Sequence, residues 1–403
     1  MLRVGVIGAG AAGLSAARHL AAQSDHFNFV VYEQTGEVGG TWYYRDEVGT
    51  DEFGLPIHSS VYKNMRTNIP KNIMAFPDFP FPIKENCCFV HHSEVLSYLK
   101  DYTKYFDVAK FIQFHSYVQE VRPVTKDTGQ ILWNISTKNL VTKVIKQEVF
   151  DAVIICNGRF TKPKYPDIQG IESFPGWVLH SHDYRVNDPF KGKQVVILGG
   201  GPSGIDISRE IAEVAEQVLF SHNLDKKHPE KVPQNFTEIC GISEINGPVV
   251  KFMNGHQFEA DVILLCTGYN FDYNFLHPKC NVSVKNQRVV PLYKHLIHCE
   301  FPTMAIFGVQ SLTLPFQLFH QQVLLFLKVL RGSVKLPSEK EMKEDAEADF
   351  NYRIEMGLPA RYAHKMSNGL LWKYDDDISR LGDFQPIPKI VRDQFDNISY
   401  ACS

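Results

Sequence analysis

Two glycine-spaced segments carry the first chemical signal in this 403-residue chain. Gly8-Ala-Gly10-Ala11-Ala12-Gly13 follows the apolar run 4–7, and Gly199-Gly-Gly201-Pro202-Ser203-Gly204 follows the run 194–198. In such a segment the first glycine permits a tight turn. The second lets a diphosphate approach the backbone, and the third lets the next helix pack on the strand. The N–H groups that open that helix can then hold phosphate oxygens. One segment of this kind is weak evidence. Two, each between an apolar strand and a helical run (14–22 and 205–214), point to two dinucleotide sites.

The two units differ where a ribose would sit. After the first, Phe29-Val-Val-Tyr ends at Glu33, twenty residues past Gly13. A carboxylate there accepts hydrogen bonds from ribose hydroxyls and repels a 2′-phosphate, which suits the adenosine of FAD or NAD. After the second, Gln217-Val-Leu-Phe ends at Ser221-His222 with no acid, and Lys226 and Lys227 follow. A missing acid beside nearby bases suits NADP, although such lysines also fit a solvated loop.

The elements that must position these residues repeat as well. Asp151-Ala-Val-Ile-Ile-Cys-Asn157-Gly158 and Asp261-Val-Ile-Leu-Leu-Cys-Thr267-Gly268 both read as acid, buried parallel strand, small polar residue and sharp exit. Pro163, Pro166 and Gly170 mark a linker. The layout is an α/β chain in which the second nucleotide unit is inserted within the first.

Composition narrows the remaining classes. The chain is 44% hydrophobic and 22% charged with a net charge of -3, so nucleic acid is not its partner. The most apolar stretch, 316–330, contains Gln317, His320, Gln321, Gln322 and Lys328 and reads as a core helix rather than a span. Eight cysteines are scattered without a CxxC, which excludes a dithiol redox pair and the usual zinc ribbon. Met1-Leu2 leads straight into the first strand with no charged leader segment. A soluble cytoplasmic protein is expected, or a secreted one if a leader was removed. The sequons at Asn134, Asn235, Asn281 and Asn397 mildly favour secretion.

Further segments name a family. Phe174-Pro-Gly176-Trp-Val-Leu-His180-Ser-His-Asp-Tyr184 fits the pattern FxGxxxHxxxY/F at every fixed position and stands just before the second glycine turn. Glu33-Gln34-Thr-Gly-Glu-Val-Gly39-Gly40-Thr41-Trp42 and Tyr62-Lys-Asn-Met-Arg-Thr67-Asn68-Ile-Pro70-Lys71, then Phe76-Pro-Asp-Phe-Pro-Phe81, complete the set. From Met1 to about Gln322 the chain resembles the flavin-containing monooxygenases. Gly49-Thr-Asp-Glu-Phe-Gly-Leu-Pro-Ile-His58 resembles the compact, soluble insect enzymes, among them N-oxygenases of pyrrolizidine alkaloids. The polar ending Asp396-Asn-Ile-Ser-Tyr-Ala-Cys-Ser403 is unlike the apolar tail of vertebrate relatives, so no membrane anchor is expected.

The resemblance implies FAD and NADPH as cofactors and no metal. NADPH would reduce the flavin, oxygen would add to give a C4a-hydroperoxide, and a soft nucleophile would take the distal oxygen. The partners implied are O2 and a small amine or sulfide. A tertiary amine such as a pyrrolizidine alkaloid would leave as its N-oxide, a detoxification. The implied layout is an FAD domain in two parts, 1–160 and 268–403, the latter with a C-terminal helical cap, around an NADP domain at 161–267. On the flavin side the resemblance carries Gly8, Gly10, Ala11, Ala12, Gly13, Glu33, Gln34, Gly40, Thr41, Trp42, Thr67, Asn68, Val118 and Gln310. On the NADP side it carries Gly199, Gly201, Pro202, Ser203, Gly204, Ile205, Asp206 and His222. Asn68 matches the active-site asparagine of the family, though an Asx-turn ahead of Pro70 would use the same residue. Trp42 would look the same as a plain core aromatic, and Gln310 as a group satisfying backbone.

His180 and Tyr184 suit a role in holding the linker better than that of a catalytic base. His222 stands where related enzymes often have arginine, and an imidazole grips a 2′-phosphate less firmly, so relaxed use of NADH is open. Two rival functions remain. In Baeyer–Villiger monooxygenases the related pattern ends in Trp before Pro or Asp, where this chain has Tyr184-Arg185. A non-catalytic flavin and NADPH sensor or alkaloid carrier would not need the intact 39–42 and 67–71 segments. Homo-oligomers, dimers above all, are common among soluble proteins, and one is compatible with this chain.

Overall fold

The computed structural model describes residues 1–82, 88–223 and 232–401. They form two compact units. One comprises Met1–Tyr43, Met65–Arg159 and Phe271–Ser403, the other Tyr44–Asn64 and Phe160–Asn270. Each contains a parallel sheet of the Rossmann-like kind, so the fold is α/β.

In the larger unit Leu2–Ile7 is the central strand, paired in parallel with Phe27–Tyr32 on one side and Ala152–Ile155 on the other. Ile112–Gln113 and Met304–Ile306 extend the sheet in parallel, and Ile297–His298 and Leu292–Tyr293 close it antiparallel. Alternate residues face two different layers. Val4, Val6 and Ile154 join a core with Leu14, Leu99, Phe326 and Ile378 from four helices: Ala11–Ala21, His92–Tyr105, Pro315–Leu330 and Leu370–Gly382. Ile7, Val153 and Ile155 join a second core with Val121, Trp133, Ile135 and Phe150 from the antiparallel strands Ser116–Thr125, Ile131–Asn139 and Ile145–Phe150. Burial on both faces explains why these parallel strands read as unbroken apolar runs. Glu339–Glu355, opened by a capping box between Ser338 and Glu341, buries only Met342 and Arg353 fully and leaves most of its other residues exposed.

The smaller unit orders its parallel strands as Phe236–Ile239, Gln217–Ser221, Gln194–Leu198, Val262–Leu265 and Trp177–His180. Helix Pro202–Ala212 buries Ile207 and Ile211. Val196, Leu219, Ile263 and Leu265 share a core with Ile245, Val250 and Phe252 of a three-stranded antiparallel sheet. Residues 44–64 group with this unit through Arg185, which donates to the carbonyls of Arg45, Glu47 and Ser59. The Lys63 N–H donates to the Arg185 carbonyl. A linear partition of the chain leaves these residues with the first segment, because the clamp comes from over a hundred positions downstream.

Candidate cofactor and active site

The first glycine turn lies at the carboxyl ends of the parallel strands, where α/β sheets bind ligands. Gly8 has φ +100°, and a Cβ on Gly13 would stand 1.8 Å from the Gly8 carbonyl oxygen. Helix Ala11–Ala21 then begins at an extended Gly10 with no side-chain cap and no acid in its first turn. The Gly39 N–H donates to the Ala9 carbonyl at 3.0 Å. This brings the turn Gly40–Trp42 against the glycines, so that a Cβ on Gly40 would lie 2.9 Å from the Gly10 Cα. Thr41 sits within that turn, and Trp42 packs against the main core. Bare N–H groups beside a glycine-lined hollow fit a diphosphate.

Glu33 is 5% exposed. One of its oxygens accepts from the Ala9 N–H at 2.7 Å, and the other from the Thr35 N–H and hydroxyl, each at 2.9 Å. Three of roughly four acceptor positions are thereby used, leaving capacity for a ribose hydroxyl. Thr35 is a partner of Glu33 that sequence reasoning missed. Its signal was a hydroxyl two residues after the acid. Gln34 is half-buried beside Glu33. Val118 is buried on strand Ser116–Thr125, whose first N–H donates to the Glu33 carbonyl.

Thr67 is buried, and its N–H and hydroxyl both engage the backbone of Val90. With the bridge between Arg66 and His91, this fixes residues 65–67 to the start of helix His92–Tyr105. Leu96 of that helix lies against Gly39. Asn68 follows as an exposed residue immediately after this anchored segment, two residues before Pro70 caps Lys71–Met74. The anchoring fixes Thr67 and leaves Asn68 exposed beside it.

Gln310 is buried, with its amide nitrogen donating to the His295 carbonyl at 3.3 Å. Arg159 grips the carbonyls of Val309 and Gln310. The other glutamines of this stretch serve the protein interior: Gln317 donates to Ala75, Gln321 to Gln385 and Gln322 to the Tyr374 hydroxyl.

The second glycine turn repeats the first. Gly199 has φ +124°, and a Cβ on Gly204 would lie 1.8 Å from the Gly199 carbonyl oxygen. Gly201 opens helix Pro202–Ala212 with no side-chain cap and open space where its Cβ would be. Pro202 takes the first position, and Ser203, Gly204 and Ile205 complete the first turn without an acid. These residues also fit a diphosphate. Asp206 does not stand free at the helix start, because its carboxylate accepts from the Tyr62 hydroxyl.

The ribose end departs from the sequence reading. His222 is buried, with its ring nitrogen 3.3 Å from a carboxylate oxygen of Glu238. Glu238 lies on the neighbouring strand Phe236–Ile239 and pairs with Phe220 in the ladder. An acid therefore does stand at this corner, supplied by the next strand instead of by the strand's own end. Lys226 and Lys227 lie outside the described residues.

The fingerprint residues are structural in their contacts. His180 is fully buried, its Nδ1 accepts from the His182 N–H at 3.0 Å, and burial pushes its pKa down to about 4. The Tyr184 ring meets Tyr62 edge-on at 5.5 Å. Burial and the neighbouring Glu210 push the Tyr184 hydroxyl pKa up, so it remains protonated. The His182 ring nitrogen lies 2.8 Å from the Ile57 carbonyl. Together they hold residues 44–64. Among the described residues no helix is long and apolar enough to cross a membrane.

Residues 1–227 and 234–387 match the model of the family described as flavin-binding monooxygenase-like. The flavin-containing monooxygenase FMO GS-OX4 of Arabidopsis thaliana is 38% identical over 409 residues, 97% of this chain and 86% of that protein. FMO GS-OX-like 2 of the same plant is 36% identical over 412 residues, 96% of this chain and 86% of that protein. The solved S-allyl-L-cysteine S-oxygenase of Allium sativum superposes with a TM-score of 0.90 at 33% identity, covering 99% of this chain and 92% of that one.

Proposed function

Given that this chain belongs to the flavin-binding monooxygenase-like family, whose members use FAD, NADPH and O2 to oxygenate soft nucleophiles, we propose that its substrate atom is a sulfide sulfur. The observation that supports this most is the likeness along nearly the whole chain to an S-oxygenase. The relatives reported above are plant and garlic proteins, so the narrower insect likeness in residues 49–58 supports only a second arm, N-oxygenation of a tertiary amine such as a pyrrolizidine alkaloid. The bound flavin supplies the activated oxygen.

The chain's own residues bind and orient. The helix start at Gly10 holds the FAD diphosphate and Glu33 its ribose. The helix start at Gly201 holds the NADPH diphosphate. Thr67, locked to Val90, presents the Asn68 amide as a donor toward the reacting group. Removing a well-placed donor of this kind costs about 3 kcal/mol, roughly a hundredfold in kcat. Asn68→Ala is therefore expected to lose oxygenated product about a hundredfold while NADPH is still oxidised, the difference leaving as hydrogen peroxide. Unchanged product and peroxide in that variant would remove Asn68 from the site.

The substrate test is NADPH consumption in air with a thioether amino acid, a tertiary amine or a cyclic ketone, with products identified by mass. Sulfoxide formation with the highest kcat/KM supports the reading. Preference for the amine selects the second arm, and a lactone from the ketone overturns both.

A further inference from the structure

We propose that His19, His320 and Asp78 form a binding site for a divalent transition metal ion, Zn2+ above all, that ties helix Ala11–Ala21 to helix Pro315–Leu330. His19 Nε2 lies 3.1 Å from His320 Nδ1, between residues 301 positions apart. The two rings meet edge-on with centroids 4.6 Å apart. Asp78 brings a carboxylate oxygen to 3.8 Å from His320 Nδ1, and the three ligand atoms all lie within 4.8 Å of one another. Zinc bound at about 2.0–2.1 Å in a tetrahedral shell separates two imidazole nitrogens by roughly 3.3 Å. The two imidazoles need a shift of only tenths of an ångström, and the Asp78 carboxylate a movement of about 0.5–1.5 Å toward them. Two imidazoles and one carboxylate are a borderline donor set that suits zinc better than magnesium or calcium.

The surroundings support an ion more than a simple ring-to-ring hydrogen bond. Asp78 uses its second oxygen for Arg18, whose Nε lies 2.6 Å away. A ligating carboxylate is commonly oriented by such a neighbour. The Asp78 oxygen that faces His320 is buried without a well-aligned hydrogen bond among the described residues, whereas the Ser15 and Tyr102 hydroxyls hydrogen-bond to one another. Ser15 lies one helical turn before His19 and so shares its face. Tyr102 sits in the field of both Asp78 and Arg18. Buried polar atoms usually have partners, and the free Asp78 oxygen beside His320 marks a place for one. A solvent water completes the four-coordinate shell. His320 and Asp78 retain 14% and 20% side-chain exposure, which gives an ion a way in.

The site is tested without activity. The flavin-loaded protein is equilibrated with Zn2+, desalted, and its metal content read by mass spectrometry beside its flavin content. About one zinc per chain is expected in the parent, with loss of that zinc and retention of flavin in His320→Gln and in His19→Gln. Glutamine can keep a hydrogen bond to the remaining histidine, so loss of metal without loss of fold separates ligation from packing. Chelation is expected to lower the melting temperature of the parent and to leave that of His320→Gln unchanged. Co2+ in place of zinc should give the visible absorption of a four-coordinate site in the parent alone. A parent that keeps no zinc after equilibration, or equal zinc in parent and both variants, overturns the proposal and leaves a plain pair of hydrogen-bonded rings.

Discussion

The two glycine turns are near copies as far as the end of the following strand, and there they part. In both, a left-handed first glycine passes beneath a carbonyl, the third glycine leaves no room for a Cβ, and a helix begins uncapped and without an acid. In the larger unit the next strand ends in Glu33, pinned by Ala9 and Thr35 and poised as an acceptor. In the smaller unit it ends in His222, and the acid comes from Glu238 on the adjacent strand. On the proposed reading the diphosphate grip is a property of the turn, whereas the choice of ribose is a property of one corner. The chain can keep the first and vary the second independently.

The harshest break in the comparison strikes the shared part. Gly13→Val and Gly204→Val each place carbon atoms about 1.8 Å from a backbone oxygen. Each is expected to cost more than about 3 kcal/mol, because backbone cannot yield as a side chain can. Thermal melting with flavin content checks this. Gly13→Val should be flavin-free, while Gly204→Val should lose NADPH binding first.

A smaller effect separates the corners. Glu33→Ala orphans the Ala9 N–H and removes the ribose acceptor, so FAD should bind roughly ten- to a hundredfold more weakly, the worth of one charge-assisted hydrogen bond. Equilibrium titration of the apoprotein with FAD reads it. Glu238→Gln should act in the opposite sense on the other cofactor. Removing a carboxylate beside His222 relieves repulsion of a 2′-phosphate, and the ratio of kcat/KM for NADPH over NADH should rise several-fold, as like-charge neighbours at a binding site predict. An unchanged ratio would show that this corner does not read the 2′-phosphate.

The smallest effect is shared again. Each unit buries a neutral histidine as an acceptor of backbone N–H groups: His180, and His298, which takes those of Glu300 and Phe301. Burial pushes both down from 6.5 to about 4. Between those values the unfolded chain takes up protons that the folded chain refuses, so stability falls as pH drops from 6.5 toward 4. Melting temperature against pH should therefore be flat near neutrality and decline through that window. His298→Asn and His180→Asn should each make the decline shallower.

Much of this was legible before the fold was known, because the turns are local. Strand, glycine spacing and helix lie within about a dozen consecutive residues, and Glu33 is set by the length of one helix. What was hidden depends on strand order or on distant segments. Glu238 reaches His222 only because two strands adjoin, and residues 44–64 join the smaller unit through distant partners such as Arg185, His182 and Asp206. His180 and Tyr184 were recognisable as a pattern, but the work of this segment as a clamp needed the partners of Tyr184, Tyr62 and Glu210, and that of His182, Ile57. No spacing rule relates His19 to His320.

The measurement that tests the account most directly is oxygen tracing. The flavin-loaded protein is supplied with NADPH, isotopically labelled O2 and a thioether, and product is compared with NADPH consumed. The account predicts one labelled oxygen atom in a sulfoxide for each NADPH oxidised, with little hydrogen peroxide. NADPH consumption that ends wholly in hydrogen peroxide, with thioether, amine and ketone all returned unchanged, would contradict it.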